Sequence, residues 1–83
     1  MKEIRFTREA RKTLSRIPVN IAKLIHSKIE QYAADPASLA PNVTKLQGRN
    51  GYRLRVGDWR VIFDEDGTVL YILAVRPRGG AYS

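Results

Sequence analysis

The first few residues alternate. In residues 2–6, KEIRF, the apolar Ile4 and Phe6 are separated by charged positions, the period-two pattern of a half-buried strand. From residue 8 the period lengthens. Ala10, Leu14 and Ile17 recur at i, i+4 and i+7, a narrow apolar stripe that predicts a short helix over Arg8–Arg16, with Thr7 as its N-cap. Pro18 stops that helix and suits the first turn of the next. Over residues 18–34, Ile21, Leu24, Ile25, Ile29 and Tyr32 keep a 3.6-residue period, and Asp35-Pro36 ends it. These two helices are expected to form an antiparallel hairpin. Residues 35–42, DPASLAPN, read as a connecting loop, residues 43–46 as a short strand and residues 48–51 as a turn.

The segment GYRLRVGDWRVIF, residues 51–63, reads as a β-hairpin around a two-residue Gly57-Asp58 loop. That loop pairs Val56 with Trp59, Arg55 with Arg60, Leu54 with Val61, Arg53 with Ile62 and Tyr52 with Phe63. Tyr52, Leu54, Val56, Trp59, Val61 and Phe63 then share one face, which is a core face. Arg53, Arg55, Arg60 and Ile62 share the other. Asp66-Gly67 signals a second hairpin, and residues 68–75, TVLYILAV, are apolar on both faces, as in an inner strand. Tyr71 is expected to join Tyr52 and Trp59 in the core. Pro77 ends regular pairing. Strict alternation from the second loop places Arg76 on the core face, whereas a bulge or a three-residue loop would turn it to the other, so its direction stays open.

The pattern predicts an α+β fold, β-α-α-β-β-β-β, with a two-helix hairpin packed on one face of a small, mostly antiparallel twisted sheet. Its 83 residues make a single domain, spanning residues 1–83. The helices cover the face of Tyr52, Leu54, Val61 and Phe63 and leave the arginine face open. Arg55 opposite Arg60 destabilises an isolated sheet, so the pair has meaning if an anion lands there.

Charge supports that reading. Fifteen Lys and Arg stand against eight Asp and Glu, for a net charge of +7, and six of the ten arginines lie after residue 48. A guanidinium is a planar five-donor fork suited to phosphate. A basic surface of this kind points first to nucleic acid and then to an acidic protein partner. The chain has no cysteine and only one histidine, His26, so no thiolate site and no zinc site is expected. Asp64, Glu65 and Asp66 read as a solvated turn, and neither a metal nor a cofactor is implied. No apolar run approaches the ~20 residues that span a bilayer, and MKEIRFTREARK does not read as a secretory signal. No membrane contact is expected, and a cytoplasmic location is the simplest reading.

The helix hairpin, then K-L-x-G, then G-Y-R-L-R-V-G-D-W-R-V-I-F, an apolar strand and a terminal R-x-R-x-x-x-Y together resemble the RelE/ParE toxins of type II toxin–antitoxin modules. The resemblance covers nearly the whole chain, and the Y-R-L-R-V-G-D-W-R-V-I-F stretch is its most specific part. It implies a toxin held inactive by a cognate antitoxin. RelE-like members cut mRNA on the ribosome, in the environment of 16S rRNA, whereas ParE-like members share the fold and poison DNA gyrase. For a RelE-like reading, the resemblance implies catalytic roles for Lys45, Arg53, Arg76 and Tyr82. Arg49, Arg55, Arg60 and Arg78 are the accompanying RNA-binding candidates. Where the best-known member has a second lysine this chain has Val43, and VRPRGGAY lacks a histidine found in many relatives.

Those residue types suit RNA cleavage without a metal. The 2′-OH attacks the adjacent phosphorus, negative charge builds on a pentacoordinate phosphorane, and the 5′-oxygen leaves. Arginine cannot readily give up a proton, so Arg53, Arg55 and Arg76 suit charge stabilisation. Tyr82 and Lys45 are the groups able to move protons. Plainer roles are equally open: Lys45 as an edge-strand guard, Arg55 and Arg60 as partners for antitoxin carboxylates, and Tyr82 as a tail or plug.

Overall fold

A computed structural model describes residues 1–78. The chain runs β1 (Glu3–Phe6), α1 (Arg8–Arg16), α2 (Val19–Ala34), a 3-10 helix (Pro36–Asn42), β2 (Val43–Lys45), β3 (Tyr52–Val56), β4 (Trp59–Asp66) and β5 (Val69–Pro77). The five strands form one sheet in the order β1-β5-β4-β3-β2. Every neighbouring pair is antiparallel except β1 with β5, which is parallel. The α+β class and the mostly antiparallel sheet are as expected. The added element is the 3-10 helix, where prolines at 36 and 41 allow a tight coil and Leu39 turns into the core.

The core lies between the two helices and one sheet face. Ala10 and Leu14 of α1 and Ile25, Ile29, Tyr32 and Ala33 of α2 pack against Leu54, Val56, Val61, Phe63, Leu70, Ile72 and Val75. Phe63 is 1% exposed; the Tyr32 ring is tilted against it at a centroid distance of 5.0 Å and the Tyr52 ring stacks on it at 5.4 Å. Trp59 is half-buried against this cluster. At the rim, the Tyr32 hydroxyl donates to a Glu65 carboxylate oxygen at 2.7 Å, and Lys2 lies 3.4 Å from the same carboxylate. Partial burial and the bond to Glu65 push the Tyr32 phenol well above its ordinary pKa.

Thr7 joins the helical layer to the sheet. Its hydroxyl accepts from the Ala10 backbone N–H at 3.1 Å, capping α1, and donates to the Leu73 carbonyl at 2.7 Å. Leu73 is an irregular position. Phe63 pairs with Ile72 but Ile62 pairs with Ala74, so Leu73 is an extra residue, a β-bulge. The second loop is Gly67-Thr68, one residue beyond the expected one, since Asp66 pairs with Val69. Gly51, before β3, is buried at φ +119°. That conformation favours glycine, and an added Cβ would sit 3.2 Å from the Phe63 carbonyl oxygen. Among the described residues, no helix is long and apolar enough to cross a membrane.

Candidate nucleic-acid interface

The first hairpin has the expected register at all five pairs, from Val56–Trp59 to Tyr52–Phe63. Paired residues share a face. Leu54, Val56, Val61 and Phe63 therefore meet the helices, and Arg53, Arg55 and Arg60 stand on the helix-free side. The bulge decides the direction of Arg76. Ile72 is a core residue before Leu73, and Val75 is a core residue after it, paired with Val61. Arg76 then pairs with Arg60. Arg55, Arg60 and Arg76 thus form one row across three adjacent strands. A second row on the same face holds Thr44, Arg53, Ile62 and Ala74.

Four of the candidate cations gather round one hollow of about 260 Å³. Arg53, Arg55, Arg60 and Arg78 line it, with Thr44 and Trp59 beside them. Arg78 is held there by its backbone N–H, which donates to the Asp58 carbonyl across the hairpin end. Among the described residues, no carboxylate lies within ion-pair distance of Arg53, Arg55 or Arg78. Donors concentrated in this way suit an anion. Among the described lining residues, no side chain readily exchanges a proton near neutral pH. Such a lining suits gripping phosphate and stabilising negative charge, and it offers no group for moving a proton.

The other candidates are placed differently. Arg76 belongs to the cross-strand row, but its Nη2 lies 3.3 Å from a Glu9 carboxylate oxygen on α1, away from the hollow. Lys45 pairs with Tyr52 and so points, by register, to the face opposite Arg53. It borders a separate hollow with Asn50, Asp64 and Tyr71. Arg49 is exposed in the turn before β3 and lines neither hollow. Tyr82 lies outside the described residues. Tyr71, expected in the core, pairs with Asp64 and Arg5 and so takes the helix-free face. Arg5 on that face is missing from the sequence-based set. The alternation of KEIRF could have flagged it. Its Nε bonds Glu3 at 2.8 Å, which raises its already high pKa. Among the described residues, no group of three metal-ligating side chains comes together.

The family model described as "ParE toxin of type II toxin-antitoxin system, parDE" matches residues 4–82. No functionally curated protein matches the sequence. A chain of the archaeal RelE-RelB complex from Pyrococcus horikoshii OT3 is 27% identical, with 96% of this chain and 98% of that one covered at a TM-score of 0.80. A chain of the RelB-RelE antitoxin-toxin complex from Methanococcus jannaschii is 26% identical over 95% of both chains, at 0.75. The isolated E. coli RelE toxin shares the fold at a TM-score of 0.79 and 15% identity, over 99% of this chain and 89% of that one.

Proposed function

The chain belongs to the family of ParE toxins of type II toxin–antitoxin systems, and on that premise we propose that it is an endoribonuclease toxin that cuts mRNA on the ribosome without a metal. The observation that carries this reading is the hollow in which Arg53, Arg55, Arg60 and Arg78 converge on the helix-free face. A single-stranded message lays one phosphate in the hollow. The 2′-oxygen forms its bond to phosphorus as the P–O5′ bond breaks, leaving a 2′,3′-cyclic phosphate and a 5′-OH. Arg53 and Arg55 hold the negative charge of the phosphorane, a role in which one donor contributes roughly 10²–10³ in rate.

Protons move through groups beyond the hollow. Tyr82 takes the proton of the 2′-OH, a role that any cation brought close to a tyrosine assists by favouring its phenolate. Lys45 points to the opposite face by register, so water gives the leaving oxygen its proton, and Arg76, in the row with Arg55 and Arg60, steadies its charge. The ribosome orders the message against these groups. A cognate antitoxin inactivates the toxin by covering the cationic face, as suits the relatives crystallised with RelB. The test is transcript-end mapping after induction of the toxin and of its Arg53→Ala and Arg55→Ala variants. New message ends with the parent, lost in both variants, are expected; growth arrest with intact messages sinks the reading.

One observation favours a second reading. The lining of the hollow offers no proton-transferring side chain among the described residues, which suits a toxin that grips without cutting, namely a ParE-like inhibitor of DNA gyrase. In that case induction leaves messages whole, triggers a DNA-damage response and yields gyrase-cleaved plasmid.

A further inference from the structure

α1 carries a second cationic surface. Ala10 and Leu14 turn inward and are buried. Arg8, Arg11, Lys12 and Ser15 share the outer side and line a hollow of about 480 Å³. Arg8 lies three residues from Arg11 and four from Lys12, and Lys12 lies four from Arg16. Like charges at these spacings oppose a helix. Arg8 and Arg11, close to the positive end of the helix dipole, oppose it again. A carboxylate one turn away would relieve the strain. The helix has one, Glu9, and it is drawn off to Arg76. Among the described residues, Arg8, Arg11 and Lys12 enter no ion pair. The Thr7 cap and the buried Ala10 and Leu14 hold the helix against its own charges.

The chemistry of the stripe selects its partner. Its outer side presents Arg8, Arg11, Lys12, Ser15 and Arg16 and no apolar side chain. Protein partners that dock on a helix rely on apolar or aromatic anchors. A phosphate backbone needs only cations and hydroxyls. Arg8 and Lys12 stand about 6 Å apart along the axis, and Arg8 and Arg16 about 12 Å. The Glu9–Arg76 contact ties α1 to the edge of the sheet where the row of Arg55, Arg60 and Arg76 ends.

We infer that the outer side of α1 is a second RNA-docking surface, which takes the backbone of nucleotides beyond those seated in the hollow. This rests on the reading of the hollow as an RNA site. The test measures binding of two 2′-O-methyl RNAs, which lack the attacking hydroxyl. One, of about five nucleotides, fills the hollow alone; the other, of about twenty-five, reaches further. The variant is Arg8→Gln/Arg11→Gln/Lys12→Gln. Its Kd for the long probe should rise about tenfold to a hundredfold, and its salt slope should fall by about 2, from three phosphate contacts at ~0.7 each. Its Kd for the short probe should equal the parent's. Its melting temperature should stay level or rise, because glutamine matches arginine and lysine in helix propensity and the repulsion is gone.

Unchanged binding of both probes overturns the inference, and weaker binding of the cognate antitoxin in that case assigns the stripe to a protein. Equal losses on both probes also overturn it, by merging the stripe with the hollow. Arg53→Ala separates the two sites, since it should weaken the short probe while the α1 variant does not. If the parent binds neither probe, the reading of the hollow fails first and the inference falls with it.

Discussion

Arg55→Gln keeps most of the aliphatic stem of an exposed residue and removes its charge and most of its donors. Arg55 is the Cα partner of Arg60, which is in turn the partner of Arg76. Two like charges about 6 Å apart in water repel by roughly 0.7 kcal/mol, and a directly opposed like pair in a sheet costs about 0.2–1 kcal/mol. About 0.5 kcal/mol is a fair central value for relieving the Arg55–Arg60 pair. An 83-residue domain unfolds with an entropy of about 0.17 kcal/mol per kelvin, so the variant should melt about 3 °C above the parent. The same variant should bind RNA more weakly, because a donor has left the hollow. Thermal melts followed by circular dichroism, at low salt and near 1 M salt, check the stability half. Near 1 M the Debye length shrinks to about 3 Å, so the difference should close to under about 1 °C. A variant that melts no higher than the parent at low salt, or a difference that persists at high salt, would show that the row is not electrostatically strained.

Arg53→Ala should lower message cleavage by roughly 10²–10³ with the fold intact, read by end mapping alongside circular dichroism. Tyr32→Phe removes the 2.7 Å bond to Glu65; chemical denaturation should reveal a loss of about 1.5–3 kcal/mol, toward the lower end because Lys2 still neutralises Glu65. The folded Tyr32 pKa is raised above the unfolded value, so its contribution is complete below about pH 10 and lost as pH climbs through the folded pKa. Alkaline denaturation should therefore be less steep in Tyr32→Phe than in the parent. Gly51→Ala should cost about 1–3 kcal/mol, through positive φ and the close Phe63 carbonyl, measured in urea.

Most of the architecture could be read from period alone. The hairpin from Tyr52 to Phe63 was fully legible, because Gly57 fixes the loop and apolar and charged residues alternate without interruption on both sides. α1 and α2 were legible from Ala10/Leu14 and from Ile25/Ile29/Tyr32. β5 was less so. TVLYILAV is apolar on both faces, so its composition does not show which residue is surplus. The bulge at Leu73, and with it the side on which Arg76 stands, depends on tertiary bonds such as that from Thr7 to Leu73. Tyr71 was misplaced for the same reason, since an apolar run hides its own alternation. Lys45 sits in a three-residue strand, too short for its pattern to reveal a face, and only pairing with Tyr52 sets it. The 3-10 helix was hidden by two prolines that also suit a loop. The cations round the hollow were individually visible, but the gathering of Arg78 with Arg53 depends on the end of β5 closing over the first hairpin.

The surplus residue in β5 acts as a phase shift in the chain. Upstream of it, even-numbered positions answer to the hydrophobic interior; downstream, odd-numbered ones do. A single-codon deletion of the surplus residue would restore regular alternation and leave Val75 inside and Arg76 outside, because the pairs Ile62–Ala74, Val61–Val75 and Arg60–Arg76 do not depend on it. Relatives one residue shorter there can therefore keep the same charged platform, and counting alternation from the second loop without allowing for the bulge would assign Arg76 to the wrong side.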